Sequence, residues 1–173
     1  MSVFLIQMIA MALIDKRVFE RSHITAEVKR NIVDKNAGVA GNILWLLAMV
    51  YSIFLPLQLG TLWFYIGFAF FIVGLIFLTM ATYDFVTTAV DQVITKGVYK
   101  ISRHPMYFAT FLICLGSGIA TKSLLFSSLS TIMALCFYHE ASLEEKYCMS
   151  KYGSAYLDYK KRTAGLIGVP KNI

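Results

Sequence analysis

Two short groups of polar residues hold the side chains of this sequence that are best suited to chemistry. The first is Arg103-His104-Pro105, which stands where a basic loop runs into an apolar segment. Because proline lacks an N–H and is tolerated in the first turn of a helix, the pattern predicts a helix entrance at His104. Such an entrance attracts a carboxylate or another anion, with Arg103 as a donor and Tyr99 and Tyr107 as aromatic walls. The alternative is that these residues only mark a membrane border.

The second group is the pair Glu144-Glu145, which follows the last apolar segment. If a helix continues out of that segment, Glu140 and Glu144 share one of its faces, one turn apart, and Gly153 ends it. Carboxylates this close to a membrane border seek a cation. The candidate cations are Arg103, Lys100 and Lys146. The alternative is a solvated acidic turn paired to lysines.

The composition indicates a membrane protein. Hydrophobic residues make up 58% of the 173 residues and charged residues only 15%, an apolar share well above that of soluble globular proteins. The formal charge of +6 comes from sixteen lysines and arginines confined to a few connections, so we interpret them as topology signals and not as a nucleic-acid surface. The three cysteines have no metal-ligand spacing, and no disulfide is expected.

Apolar segments alternate with polar connections and predict an all-α, polytopic membrane fold with about five transmembrane helices. The segments cover residues 3–14, 38–57, 61–81, 105–120 and 124–138. The first is too short to cross a hydrocarbon core of about 30 Å at about 1.5 Å per residue, so it either extends to Phe19 or lies partly in the interface. It has no basic leader or cleavage pattern and is expected to be retained. Helix packing is expected at small residues inside the spans, Gly67, Gly74, Gly116 and Gly118.

Basic residues are concentrated in alternate connections. Residues 15–36, residues 83–103 and the tail after His139 are rich in lysine and arginine, whereas the short turns between the paired spans carry little or no charge. By the positive-inside rule, these three basic regions face the cytoplasm, and the N-terminus lies outside if the first segment spans. Both polar groups that are suited to chemistry are therefore expected on the cytoplasmic side.

Taken together, the two groups and the intervals around them resemble the isoprenylcysteine carboxyl methyltransferase family and its phospholipid methyltransferase relatives. The resemblance runs from about Asp91 to Arg162. It is carried by Gly97-Val98-Tyr99, His104-Pro105-Met106-Tyr107, Glu144-Glu145, Tyr152-Gly153 and Tyr156-Leu157-Asp158-Tyr159-Lys160-Lys161-Arg162. It implies a single integral membrane methyltransferase domain over residues 1–173, with membrane helices in 1–81 and the catalytic half in 82–173.

The resemblance also implies a cofactor, S-adenosyl-L-methionine, in a cytoplasm-facing pocket that the tail closes, and a lipid or prenylated substrate that enters from the bilayer. Cofactor contacts are implied at Gln92, Val93, Ile94, Tyr99, His104, Pro105, Met106, Tyr107 and Glu144. We expect the catalytic residues to be Arg103, Glu144 and Glu145. A carboxylate suits the cationic groups of this cofactor, and the helix entrance suits its carboxylate.

The sequence departs from the prenylcysteine enzymes one turn before the glutamate pair. Those enzymes have an arginine there that can bind the substrate carboxylate, whereas this chain has His139 and Glu140. Substrate contacts are therefore expected at Glu140 and Arg162, and the acceptor is a carboxylate, a phospholipid amine or a thiol. An acidic Glu140 suits an amine-bearing or neutral acceptor. Two other classes stay open: a sterol reductase that uses a nicotinamide cofactor, and a membrane scaffold without catalytic activity.

Overall fold

A computed structural model of the protein describes residues 32–89, 91–166 and 168. The predicted first segment, residues 3–14, lies outside the described residues. Over the described part the chain is all-helical, with no strand. The elements are α1 (Ile32–Ile53), α2 (Leu62–Val86), a 3-10 turn (Gly97–Lys100), α3 (Pro105–Ala120), α4 (Leu124–Tyr152) and α5 (Ser154–Arg162).

Local sequence signals set most of the helix ends. Thr61 and Ser123 cap α2 and α4, since their side chains accept the N–H groups of Phe64 and Phe126 at 3.3 and 3.1 Å. At α3, Pro105 occupies the first turn after the cap residue His104, as predicted. Gly153 ends α4 in a backbone conformation with φ of +55°, which glycine adopts without steric cost.

Three of the helices, α1, α2 and α4, are long and apolar enough to cross a membrane, and α3 is a shorter apolar helix of 16 residues. The predicted all-α, polytopic membrane fold is confirmed. Three boundaries differ from the prediction. Helix α1 already includes Ile32, before Gly38, and it ends at Ile53, before Leu57. Helix α2 continues to Val86 and not only to Ala81.

Helices α2 and α3 pack closely because glycines stand at their contact. A Cβ added to Gly67 would lie 2.4 Å from the carbonyl oxygen of Gly116, and one added to Gly116 would lie 2.5 Å from that of Gly67. A Cβ on Gly74 would likewise come within 2.9 Å of the carbonyl oxygen of Ala109. The predicted role of these glycines in helix packing is confirmed, because only hydrogen fits at such distances.

The turns at 54–61 and 121–123 lie at one end of the bundle, where the N–H of Gln58 donates to the carbonyl of Ala120 at 3.1 Å. The opposite end therefore holds the start of α1, the end of α2 and the start of α3. With 29 residues against 16, α4 rises about 20 Å further than α3, so its second half passes the entrance of α3. This difference in length brings the glutamate pair beside His104.

Candidate active site

His104 lies at the centre of the polar cluster at this end of the bundle. Its side chain is buried, and the backbone N–H of His104 donates to the hydroxyl of Ser102 at 3.1 Å. Its imidazole stands between two carboxylates: Nδ1 lies 3.5 Å from Oε2 of Glu144, and Nε2 lies 3.3 Å from Oε1 of Glu145. The predicted meeting of the helix entrance and the glutamate pair is therefore present in the structure.

Burial alone would lower the pKa of His104, because a charged imidazole loses water. The hydrogen bonds and negative charges of Glu144 and Glu145 outweigh this effect, and the pKa of His104 is raised above its usual value of 6.5. The imidazole is accordingly held toward its charged form, as a cation between two anions.

Glu145 has three partners, two at the entrance of α3 and one on α5. Nε of Arg103 donates to Oε1 at 2.7 Å, Nζ of Lys160 lies 2.7 Å from Oε2, and His104 is the third. The Arg103 and Glu145 side chains are each only 13% exposed. Of the cations proposed from sequence, Arg103 is the correct partner, and Lys160 is a partner that sequence reasoning missed.

Glu144 has a different environment. Its Oε1 accepts a hydrogen bond from the Tyr107 hydroxyl at 2.6 Å, and its side chain is 26% exposed. The Tyr107 ring stacks on His104 on one side and on Phe137 on the other, with centroid distances of 5.9 and 5.0 Å. Glu144 therefore borders an aromatic wall, whereas Glu145 lies inside a charge cluster.

The segment that follows α5 covers the entrance of α3. The backbone N–H groups of Arg103 and His104 donate to the carbonyls of Ala164 and Gly165 at 2.9 and 3.2 Å. Nη1 of Arg103 also donates to the carbonyls of Lys160 and Thr163. This arrangement differs from the prediction that an external anion docks at the N–H groups of the helix entrance and at Arg103. Carbonyl groups of the chain's own tail accept these hydrogen bonds.

A cavity of about 330 Å³ opens beside the cluster. Its lining comprises Arg103, His104, Tyr138, Ala141, Ser142, Glu145, Gly165 and Leu166. The lining combines charged groups of the cluster with residues of α4 and of the tail segment. The cavity thus lies on the side of His104 that faces Glu145, whereas Glu144 and Tyr107 lie on the opposite side of His104.

The remaining residues expected at the cofactor lie toward α2. Tyr99 is buried against Ala81, and Ile94 and Met106 pack against the same cluster. Pro105 is fully buried in the first turn of α3, Gln92 is exposed and Val93 is half-buried. The structure therefore brings Arg103, His104, Tyr107, Glu144 and Glu145 together, and it packs Ile94, Tyr99 and Met106 around Ala81 of α2.

The two residues expected at the substrate lie in different places. Glu140 is half-buried on α4, one turn before Glu144, whereas Arg162 is exposed at the end of α5. Next to Glu140, Nε2 of His139 lies 3.1 Å from Oδ1 of Asp34 and so links α4 to α1. Glu140, the residue expected at the substrate on α4, is therefore next to a helix-to-helix contact.

Tyr159 anchors α5, a role that sequence reasoning missed. Its hydroxyl donates to the carbonyl of Tyr99 at 2.7 Å. Burial raises the pKa of Tyr159, so the hydroxyl keeps its proton and remains a donor. The available signal was the spacing of Tyr156 and Tyr159 after Gly153, which places both rings on the inner face of a short helix.

The fold and the site define a polytopic helical membrane protein in which an Arg-His-Pro corner meets two glutamates. Residues 38–155 match the phospholipid methyltransferase family, and the chain belongs to this family. It is 31% identical over 101 residues to the nickel-cobalt-cadmium resistance protein NccN of Alcaligenes xylosoxydans xylosoxydans, an alignment that covers 53% of this chain and 46% of the relative.

Two further relatives are named protein-S-isoprenylcysteine O-methyltransferase. The Saccharomyces cerevisiae protein is 33% identical over 86 residues, which cover 46% of this chain and 34% of the relative. The Schizosaccharomyces pombe protein is 32% identical over 81 residues, which cover 44% and 32%. The chain thus spans less than half the length of each of these relatives. No solved structure matches it.

Proposed function

We propose that this protein transfers a methyl group from S-adenosyl-L-methionine to a lipophilic acceptor at the membrane. The observation that carries the proposal is the convergence of His104 with Glu144 and Glu145 beside a cavity, at one end of a helical bundle. The membership of a phospholipid methyltransferase family and the two relatives named isoprenylcysteine methyltransferases support the same reaction.

The side chains of the cluster fit the chemistry of this cofactor, which supplies a methyl group on a positively charged sulfur. Glu144, which accepts the Tyr107 hydroxyl, offers a partly exposed carboxylate to an ammonium or a hydroxyl. Arg103 lines the cavity on the other side of His104, but its Nε and Nη1 groups are already bonded to Glu145 and to the tail carbonyls.

Arg103 and Glu145 have a positioning role in this proposal. Glu145 is already paired with Arg103, Lys160 and His104, so its negative charge is balanced within the protein. This network joins the entrance of α3, the extension of α4 and the tail into one unit around the cavity. A rigid surround of this kind favours methyl transfer, because the reaction needs alignment of the nucleophile, the methyl group and the sulfur in the absence of water.

The proposed acceptor is a lipid-borne carboxylate, amine or thiol that reaches the site from the bilayer. Glu140 lies one turn before Glu144 on α4, and it would repel a carboxylate and attract an amine. We therefore expect Glu140→Arg to move acceptor preference toward carboxylates. A panel of methyl acceptors measures this shift, and an unchanged preference would show that Glu140 does not face the acceptor.

We also propose that the site faces the cytoplasm. The end of the bundle that holds the cluster is also the end with the basic residues of 83–103 and of the tail. Short connections rich in lysine and arginine are retained on the cytoplasmic side of membranes.

The experiment that tests the proposed function is a labelled-methyl transfer assay with the detergent-solubilised protein. Membrane lipid extract and a farnesylated cysteine analogue serve as acceptors, and the labelled product identifies the acceptor class. Calorimetric titration with S-adenosylhomocysteine is the companion measurement, and NADPH is the control ligand. We expect tight binding of S-adenosylhomocysteine and transfer to at least one acceptor. Binding of NADPH instead, or of neither ligand, would overturn the proposal.

A further inference from the structure

A buried carboxylate near the end of α2 holds the turn that precedes the site. Asp84 is 8% exposed, and its Oδ2 accepts a hydrogen bond from the backbone N–H of Val98 at 3.1 Å. The two residues are fourteen positions apart, so this contact closes the whole connection between α2 and the 3-10 turn. A charged group is costly to bury unless it is hydrogen-bonded, and here the partner is a backbone group of the turn.

Gly97 is shaped to receive this carboxylate. A Cβ at position 97 would lie 1.9 Å from Oδ2 of Asp84 and 2.5 Å from its Cγ, so the carboxylate packs directly against the glycine backbone. The φ angle of Gly97 is +53°, a conformation in which other residues are strained. Asp84 and Gly97 therefore form one interlocking contact that requires both residue types.

Hydrogen bonds within the turn connect the Asp84 contact to the site. The N–H groups of Ile101 and Ser102 both donate to the carbonyl of Val98, at 3.0 and 3.1 Å. The Ser102 hydroxyl then accepts the N–H of His104 at 3.1 Å. The Val98 backbone thus connects Asp84 to the His104 corner through an unbroken chain of hydrogen bonds.

A second branch of the turn reaches α5. The Tyr99 carbonyl accepts the hydroxyl of Tyr159 at 2.7 Å, and α5 also carries Lys160, which pairs with Glu145. The positions of both His104 and Lys160 in the charge cluster therefore depend on where the turn lies relative to α2.

We propose that Asp84 is a positioning residue for the site: by locking the 97–102 turn onto the end of α2, it sets where His104 meets Glu144 and Glu145. Asp84 does not touch the cluster, and it acts through the Val98 N–H and the turn. The effect on ligand binding rests on the proposed function, whereas the effect on His104 does not.

The first test compares Asp84→Ala with Asp84→Asn in binding of S-adenosylhomocysteine to the full chain in detergent. Alanine removes the acceptor of the Val98 N–H, so we expect the dissociation constant to rise about tenfold. Asparagine keeps an oxygen at the same place, so we expect recovery to within about threefold of the parent. Equal binding by Asp84→Ala and the parent would overturn the proposal.

The control variant is Thr82→Ala, two residues earlier on the same helix. Thr82 is 2% exposed, and its hydroxyl donates to the carbonyl of Leu78, so its hydrogen bond stays within α2. We expect this variant to lose thermal stability in detergent and to bind S-adenosylhomocysteine like the parent. If Thr82→Ala weakens binding as much as Asp84→Ala does, Asp84 acts only through general stability and the proposal fails.

A second readout separates this inference from the proposed function. NMR titration of histidine-labelled protein follows the His104 ring directly, with His104→Gln to assign its signal. We expect Asp84→Ala to move the pKa of His104 back toward its usual value, because the ring loses its fixed place between the two carboxylates. An unchanged His104 titration would contradict the inference even if the parent binds no S-adenosylhomocysteine.

Gly97→Ala tests the same contact from the other side and replaces Asp84→Ala if that variant does not fold. The added methyl group collides with the Asp84 carboxylate, so we expect the same shift of the His104 titration. Gly60→Ala is the matched control, since Gly60 also has a positive φ, of +74°, but a Cβ there meets nothing within 4 Å. An unchanged His104 titration in Gly97→Ala would overturn the proposal.

Discussion

The two ends of the bundle are built from different kinds of contact. Toward the end with the short turns, α2 and α3 meet through Gly67 and Gly116, where backbone lies against backbone and no charge is involved. At the other end, a cluster of ion pairs joins α3, α4 and α5 through Arg103, Glu145 and Lys160. The first kind of contact depends on shape, whereas the second depends on charge and hydrogen bonding.

This difference separates stability from function. The glycine contact draws its strength from close packing, and any larger residue disrupts it. The charge cluster joins the entrance of α3, the second half of α4 and α5, and removal of Glu145 leaves the mostly buried Arg103 side chain without its carboxylate. We therefore expect variants of the glycine contact to change folding, and variants of the charge cluster to change binding as well.

The largest effect is expected at the glycine contact. Gly116→Leu places a side chain where even a Cβ would lie 2.5 Å from the carbonyl of Gly67. We expect the free energy of unfolding to fall by more than about 3 kcal/mol, since the helices must move apart. Thermal unfolding in detergent measures this loss. A fully stable Gly116→Leu protein would show that α2 and α3 do not approach as described, and Gly60→Leu, outside the helix contact, is the comparison.

The second effect concerns Glu145. Glu145→Ala leaves Arg103 and Lys160 without their carboxylate, although Arg103 keeps its tail carbonyls as acceptors. We expect a loss of about 2 kcal/mol in the free energy of unfolding, together with weaker binding of S-adenosylhomocysteine. Asp158→Ala is the matched control, because that carboxylate is 62% exposed and lies 3.9 Å from Lys161. Equal losses in the two variants would contradict the special role of the buried network.

The smallest effect is a pH dependence that belongs to the charged end alone. The folded-state pKa of His104 is raised above its usual value of 6.5, so His104 stabilises the protein fully below that pH. This contribution is lost as pH rises through the raised, folded-state pKa. Unfolding measured across this range should show the loss in the parent and in Gln variants of other histidines, but not in His104→Gln. A pH dependence that survives in His104→Gln would assign the effect to another group.

Local signals predicted the helix boundaries that depend on neighbouring residues. Helix α3 begins at Pro105 and ends at Ala120, as its flanking proline and polar turn indicated. The predicted end of α2 was wrong. An aspartate is typical of a loop, and the burial of Asp84 depends on its partner, the backbone N–H of Val98. Propensity and periodicity carry no information on such a distant contact.

In the site, too, contacts between distant residues were not predicted in full from the sequence. The sequence predicted Arg103 as one of three candidate cations for the glutamates, because carboxylates close to a membrane border seek a cation. It did not predict Lys160, nor the tail carbonyls of Ala164 and Gly165 at the entrance of α3. These contacts depend on how the chain reverses at Gly153, and a glycine marks the break in a helix but not the direction that follows.

The most direct test of the account is calorimetric binding of S-adenosylhomocysteine to the parent, to Glu144→Gln and to His104→Ala, with Asp158→Asn as the control carboxylate. We expect the parent and the control to bind alike, and both site variants to bind at least about tenfold more weakly while they keep their helical content. Equal binding by all four proteins would contradict the claim that the His104 corner and the glutamate pair together form the cofactor site.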